Sequence, residues 1–234
     1  MTRLAICLLS VLALVASQGA PRPVDTCDSV KMQACTASLA QEWGYTMDEM
    51  HNFWKDRHVF DEMITAKYGK NAEDYVYVCN GLNLFYYCIG PSNIQYCMGV
   101  SGLTSNQMTA FDAYQMDGMM NRLRFECGDA FYPITSFPDA TECIQRTKKN
   151  YVQNFGAVTD SYENQIQHDT YDNVCKNANG FVSNITDIYR KGPCSEYANP
   201  QALTSAQWYG CNGARQHVLA QYRHCESQIA CGGF

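Results

Sequence analysis

From Cys27 onward, apolar side chains recur every three or four positions, and strand-like alternation is scarce. Met50, Phe53, Trp54, Phe60, Met63 and Ile64 gather onto one broad helical face. Thr46-Met-Asp-Glu49 precedes that face as a capping box, in which hydroxyl and carboxylate satisfy the free amides of a helix start. Gly69 is expected to close this helix, and Asn71 to cap the next, which carries Tyr75, Val76, Val78 and Cys79. Met116, Met120, Leu123 and Cys127 form a further core stripe behind a second box, Thr104-Ser-Asn-Gln107. Asp139-Ala-Thr-Glu142 opens a helix with Ile144, Tyr151 and Phe155 on its buried side and Gly156 at its end. A stretch from about Ser161 through Cys175 follows, and Gly180 divides it from a shorter helix ending near Arg190. Thr204-Ser-Ala-Gln207 reads as the last box, ahead of a stripe of Trp208, Cys211, Val218, Tyr222, Cys225 and Ile229. No Asn-Gly turn joins two alternating runs. The pattern predicts an all-α fold, a disulfide-stapled bundle of about six to eight helices.

Cys79, Cys88 and Cys97 stand nine residues apart around a run of large apolar side chains. Nine residues span about two and a half helical turns, so Cys79 and Cys88 face opposite sides of one helix. That helix is expected to be the post to which its neighbours are bolted. Gly90-Pro91 breaks it and turns Cys97 toward another partner. Cys27 and Cys35 fall about 80° apart on a helix and can share one neighbour. Cys211 and Cys225, fourteen apart, nearly eclipse and are expected to staple one helix to a common core.

The chain opens with Met-Thr-Arg, an apolar run from Leu4 to Ala16 and a small-residue exit, the form of a secretory leader cleaved after Ser17. The run is shorter than the roughly 20 apolar residues a bilayer requires. Residues 1–17 are thus expected to be a signal peptide, 18–26 an unstructured start and 27–234 one cysteine-rich helical domain. Loss of the leader removes Cys7 and leaves an even set from thirteen cysteines: Cys27, Cys35, Cys79, Cys88, Cys97, Cys127, Cys143, Cys175, Cys194, Cys211, Cys225 and Cys231. An even set in an exported chain implies disulfides rather than metal ligands. The number of possible pairings is roughly ten thousand, so spacing leaves connectivity open.

A formal net charge of −6, without runs of one sign, removes nucleic acid as a partner. No later stretch is apolar enough for a membrane helix. Asn184-Ile-Thr186 is an N-glycosylation sequon, placed here in a polar stretch between helices. His168-Asp169 and Trp208-Tyr-Gly-Cys-Asn-Gly213 invite comparison with phospholipase A2, but the order of the two pieces is reversed and the adjacent cysteine anchor is missing. His51 with His58, and His217 with His224, are seven apart, about 10.5 Å along a helix, too far to share a metal ion. Both pairs read as solvated faces. Lys148-Lys149 and Arg190-Lys191 read as ordinary surface cations. No nucleophile elbow, phosphate loop or dinucleotide fingerprint occurs, so no catalytic, metal or cofactor site is assigned.

With the cysteine rhythm in view, the chain resembles the secreted, cysteine-rich helical domains of invertebrates, including nematode domains of unknown function and the chondroitin proteoglycan 4-like domain. The resemblance implies an extracellular protein; the leader, the even cysteine set and the lack of a catalytic constellation make a non-enzymatic protein, binding or part of an extracellular matrix, the expectation. Its expected partners are extracellular proteins, matrix polysaccharide or mineral, as in an egg coat, cuticle or shell. The alternatives are a carrier of a small hydrophobic ligand, which requires an internal cavity, a secreted effector or toxin, and a phospholipase A2-like enzyme with His168 in a cleft.

Overall fold

The computed structural model describes residues 26–69 and 71–232, except the side chain of His51. The expected leader, Cys7 and residues 18–25 lie outside the described residues. Every regular element among the described residues is helical. The helices are α1 (Ser29–Trp43), α2 (Arg57–Lys67), α3 (Ala72–Ile89), α4 (Val100–Ser105) and α5 (Ala110–Cys127). They continue with α6 (Phe131–Thr135), α7 (Pro138–Asn150), α8 (Val152–His168), α9 (Val174–Lys191) and α10 (Pro200–Gln221). The fold is all-α and disulfide-stapled, with more segments than expected because short turns interrupt the long helical stretches.

Local chemistry explains most of those interruptions. Glu49 and Thr46 bond reciprocally, but their box opens only a 3-10 turn, Glu49–Asn52. The chain restarts at Asp56, whose carboxylate caps α2 by accepting from His58 N at 2.8 Å. Asn71 caps α3 as expected. Gly90 adopts φ 76°, a conformation glycine takes without the Cβ penalty, and Pro91 starts a single turn followed by a π-helical turn, Ile94–Met98.

Two expected boxes are absent. The Thr104 hydroxyl donates back to Val100 and Ser101 carbonyls inside α4, and Thr109 is the true cap of α5, accepting from Asp112 N at 3.1 Å. Thr204 lies within α10, which begins four residues earlier behind Asn199. α7 starts at Pro138 without a side-chain cap, so Asp139 merely occupies its first turn. Gly156 and Gly180 end nothing. They sit inside α8 and α9, and the break falls at Asp169, which accepts from Thr170 N, Asn173 and Asn177.

The twelve expected cysteines pair completely: Cys27–Cys97, Cys35–Cys88, Cys79–Cys127, Cys143–Cys194, Cys175–Cys225 and Cys211–Cys231. Cys79 ties α3 to α5 and Cys88 ties it to α1, the opposite-sided arrangement that the nine-residue spacing predicts. Cys27 and Cys35 both reach the segment containing α3 and its π-turn. The expectation for Cys211 and Cys225 fails, because α10 ends at Gln221. Cys211 instead holds the tail through Cys231, while Cys225 joins that tail to α9.

No bridge crosses from residues 27–127 to residues 143–231. The chain is two covalently closed halves joined by packing. Helix α10, not α3, makes the widest set of contacts, lying against α5, α9 and α7. Its small residues allow that closeness: a Cβ on Gly210 would stand 2.2 Å from the Tyr189 ring.

Candidate functional site

The two halves meet over a cluster of buried charge. Glu126, on α5, is 4 % exposed and faces Lys148 of α7, whose Nζ lies 2.6 Å from Oε2. Arg122, one turn earlier on α5, places Nε 3.7 Å from the other oxygen, and its Nη2 donates to Asp61 of α2 at 3.2 Å. Tyrosines surround the cluster. Tyr68 donates to Glu126 Oε2 at 3.3 Å, and Tyr75 donates to the Glu126 carbonyl. Lys148 stands 4.0 Å above the Tyr68 ring, a cation–π contact. The Tyr209 hydroxyl is buried beside Glu126 and helps to hold its carboxyl ionised.

Burial alone would raise the Glu126 pKa, but Lys148 and Arg122 outweigh it and hold the carboxyl ionised. Burial depresses the Lys148 pKa, and attraction to Glu126 offsets this only in part. The same desolvation pushes Tyr68, Tyr189 and Tyr209 far above the phenol range, keeping them neutral donors.

Above this cluster opens a cleft of about 520 Å³. Its floor is Arg122, Glu126 and Lys148, and its walls include Ile64, Val152, Phe155, Ile185, Tyr189 and Ala214. α2 and α5 of the first half supply one side, and α7 to α10 of the second supply the other. The site is therefore apolar on its sides and ionic at its base. Junctions between structural units are where small-molecule sites are found most often.

Two more buried polar contacts join the halves. Arg57 at the start of α2 bonds to Glu163 of α8 and, at 3.3 Å, to Asp112 of α5. Burial raises the Glu163 pKa to about 7, with Arg57 opposing, and its Oε1 has no hydrogen-bond partner. His217, on α10, is 2 % exposed and lies 3.4 Å from Gln115 of α5. Gln221 completes that network, donating to Gln115 at 3.0 Å and accepting from Tyr162 at 2.9 Å. Desolvation, with Arg122 and Arg57 nearby, lowers the His217 pKa to about 3.

Several residues singled out from sequence fall elsewhere than expected. Lys148 is a buried ion-pair partner, not a surface cation, whereas Lys149, Arg190 and Lys191 are exposed. His217 is a core residue, while His224 stacks on Tyr171 at 5.0 Å in the open, and His58 sits on the cleft rim. Asn184 is exposed but lies inside α9, not between helices.

His168 lies on the surface with Nδ1 2.9 Å from the Asn164 carbonyl. Trp208 to Gly213 is helical, so it forms no calcium-binding loop. The phospholipase comparison thus has neither a cleft histidine nor a loop. His224 falls within 4.8 Å of the Cys175 and Cys225 sulfurs, but both are oxidised and offer no thiolate. No helix among the described residues is long and apolar enough to cross a membrane. The chain matches no family model, no curated protein and no solved structure.

Proposed function

We propose that this chain is an exported, non-enzymatic binding protein whose cleft holds one small amphiphilic molecule. The carrying observation is the cleft itself: about 520 Å³, apolar-walled and ionic-floored, between two separately cross-linked halves. Ligand pockets span roughly 300–1,000 Å³. Export is supported by six disulfides, which persist in oxidising compartments, and by the leader-like start. The cysteine rhythm, resembling that of secreted invertebrate domains, fits the same setting. A non-catalytic role is supported by the dispersal of the described histidine side chains: His58 on the rim, His217 in the core, His168 and His224 on open surface.

Gly156 supplies the test. It lines the cleft from α8, and a Cβ there meets nothing within 4 Å, so the helix accommodates a larger side chain and Gly156→Phe is expected to narrow the cleft. Titration with Nile red, a neutral solvatochromic dye, is expected to show saturable one-to-one binding by the native chain. The Gly156→Phe variant should lose that binding without a fall in melting temperature. Unchanged dye binding in the variant, or no saturable binding in the native chain, would refute the reading. A matrix role is the second reading, favoured by Tyr87, Tyr132 and Tyr171, which are 90 %, 76 % and 70 % exposed and available for association. Concentration-dependent assembly in sedimentation, without dye binding, would favour it.

A further inference from the structure

The floor of the cleft is not neutral. Arg122 and Lys148 bring two positive charges into the interior, with side chains 24 % and 11 % exposed, and Glu126 returns only one negative charge. Neutrality is completed by Asp61, whose side chain is 50 % exposed at the rim. The remaining charged groups around the opening, Glu62 and Lys149, are exposed and opposite in sign, and exposed charges in water discriminate weakly. His58 beside them is exposed as well.

The two interior cations are also engaged differently. Lys148 is committed to Glu126 at hydrogen-bond distance. Arg122 stands beyond hydrogen-bond reach of Glu126, and among the described residues its guanidinium makes one hydrogen bond, to Asp61. A guanidinium carries five donors in a planar fork that matches a carboxylate. Asp61 thus occupies the place that a ligand's own anion would take, and its exposure lets it turn to water when displaced.

Resting on the reading of the cleft as a ligand site, we propose that the occupant is a monoanionic amphiphile of the fatty-acid class. Its carboxylate pairs with Arg122 in place of Asp61. Its chain lies along Val152, Phe155, Ile185 and Ala214. A neutral lipid leaves the Arg122–Asp61 pair undisturbed and gains only apolar burial. A cationic amphiphile meets a floor with one net positive charge, a repulsion that separates ligands of equal chain length.

Isothermal titration of the oxidised, leader-free chain at pH 7 with decanoate, decan-1-ol and decylamine tests this, since the chain length is constant and only the head group changes. Decanoate is expected to bind roughly tenfold more tightly than decanol, a difference of about 1.4 kcal/mol, and decylamine more weakly than either. Asp61→Asn removes the competing carboxylate from a half-exposed site that folding tolerates. It should tighten decanoate several-fold and leave decanol unchanged. Equal affinities for the three ligands, tightest binding by decylamine, or no effect of Asp61→Asn on decanoate would overturn the head-group assignment while leaving the cleft a ligand site. Failure of all three to bind would overturn the ligand site and this inference together.

Discussion

Replacing Glu126 by Gln changes little in shape but removes the counter-charge of Lys148. The pair is separated by 2.6 Å, with side chains 4 % and 11 % exposed, so water from the cleft replaces the lost partner only in part. Two unit charges at that distance attract by about 6 kcal/mol at an effective dielectric of ~20, and each ion has already lost several kcal/mol of hydration. The Gln variant retains the dehydration of Lys148 and leaves its repulsion from Arg122 uncompensated, so the expected loss is about 3–5 kcal/mol. For a chain of this length that is a fall of roughly 10 °C in melting temperature. Glu126→Gln/Lys148→Met removes both charges and should recover most of the loss, because methionine fills the stem volume of lysine with no charge to bury. Urea unfolding of the oxidised proteins, with unchanged m-values, provides the measurement. A Glu126→Gln variant within about 1 kcal/mol of the native chain, or a double variant no more stable than the single, would show that Lys148 does not depend on Glu126 for its charge balance.

Other consequences are independent of the cluster. His217 has a folded pKa near 3, below its unfolded value of about 6.5, so stability is lost as pH falls through that window. His217→Gln should flatten the loss by roughly 1.4 kcal/mol per pH unit, measured as midpoint against pH. Glu163 runs the other way: its folded pKa of about 7 exceeds the unfolded carboxyl value, so stability falls as pH rises toward 7, and Glu163→Gln should remove that slope. Removing Cys211–Cys231, which closes the shortest loop at a separation of 20, should cost about 3 kcal/mol by loop entropy, against about 4 for Cys27–Cys97 at 70, in paired double-alanine variants. Expression through a glycosylating secretory pathway should add one glycan at exposed Asn184, and Thr186→Ala should abolish the endoglycosidase-sensitive mass shift.

Much of the architecture was legible because it depends on local rules. Cysteine parity, the nine-residue spacing of Cys79 and Cys88, the Gly90-Pro91 break and the Met116 to Cys127 stripe follow from helical periodicity and backbone sterics. The failures share a cause. Thr104 and Thr204 carry box-like spacing, yet a threonine within a helix can equally bond its own preceding turn, as Thr104 does. Gly156 and Gly180 resemble helix stops, but a single glycine in a helix costs only about 1 kcal/mol, which packing readily outweighs.

The candidate site was hidden for a different reason. Lys148 looks like half of an ordinary basic pair, and its partner is distant in sequence on another helix. One signal was available: Glu126 stands between Phe125 and Cys127 at the end of an apolar stripe, where a charge has no reason to be unless it is paired. His217 gave a similar sign, since Ala214, His217, Val218 and Gln221 share one helical face. Spacing identifies such faces but not their partners across the fold.

The most direct test of the account is an amide chemical-shift map of the oxidised protein titrated with decanoate. Shifts confined to the cleft, including Ile64, Phe155, Ile185 and Ala214, and saturating with one ligand, are expected. Shifts spread over the exposed faces, or centred on the distinct surface around Phe137 and Trp208 while the cleft stays silent, would contradict it.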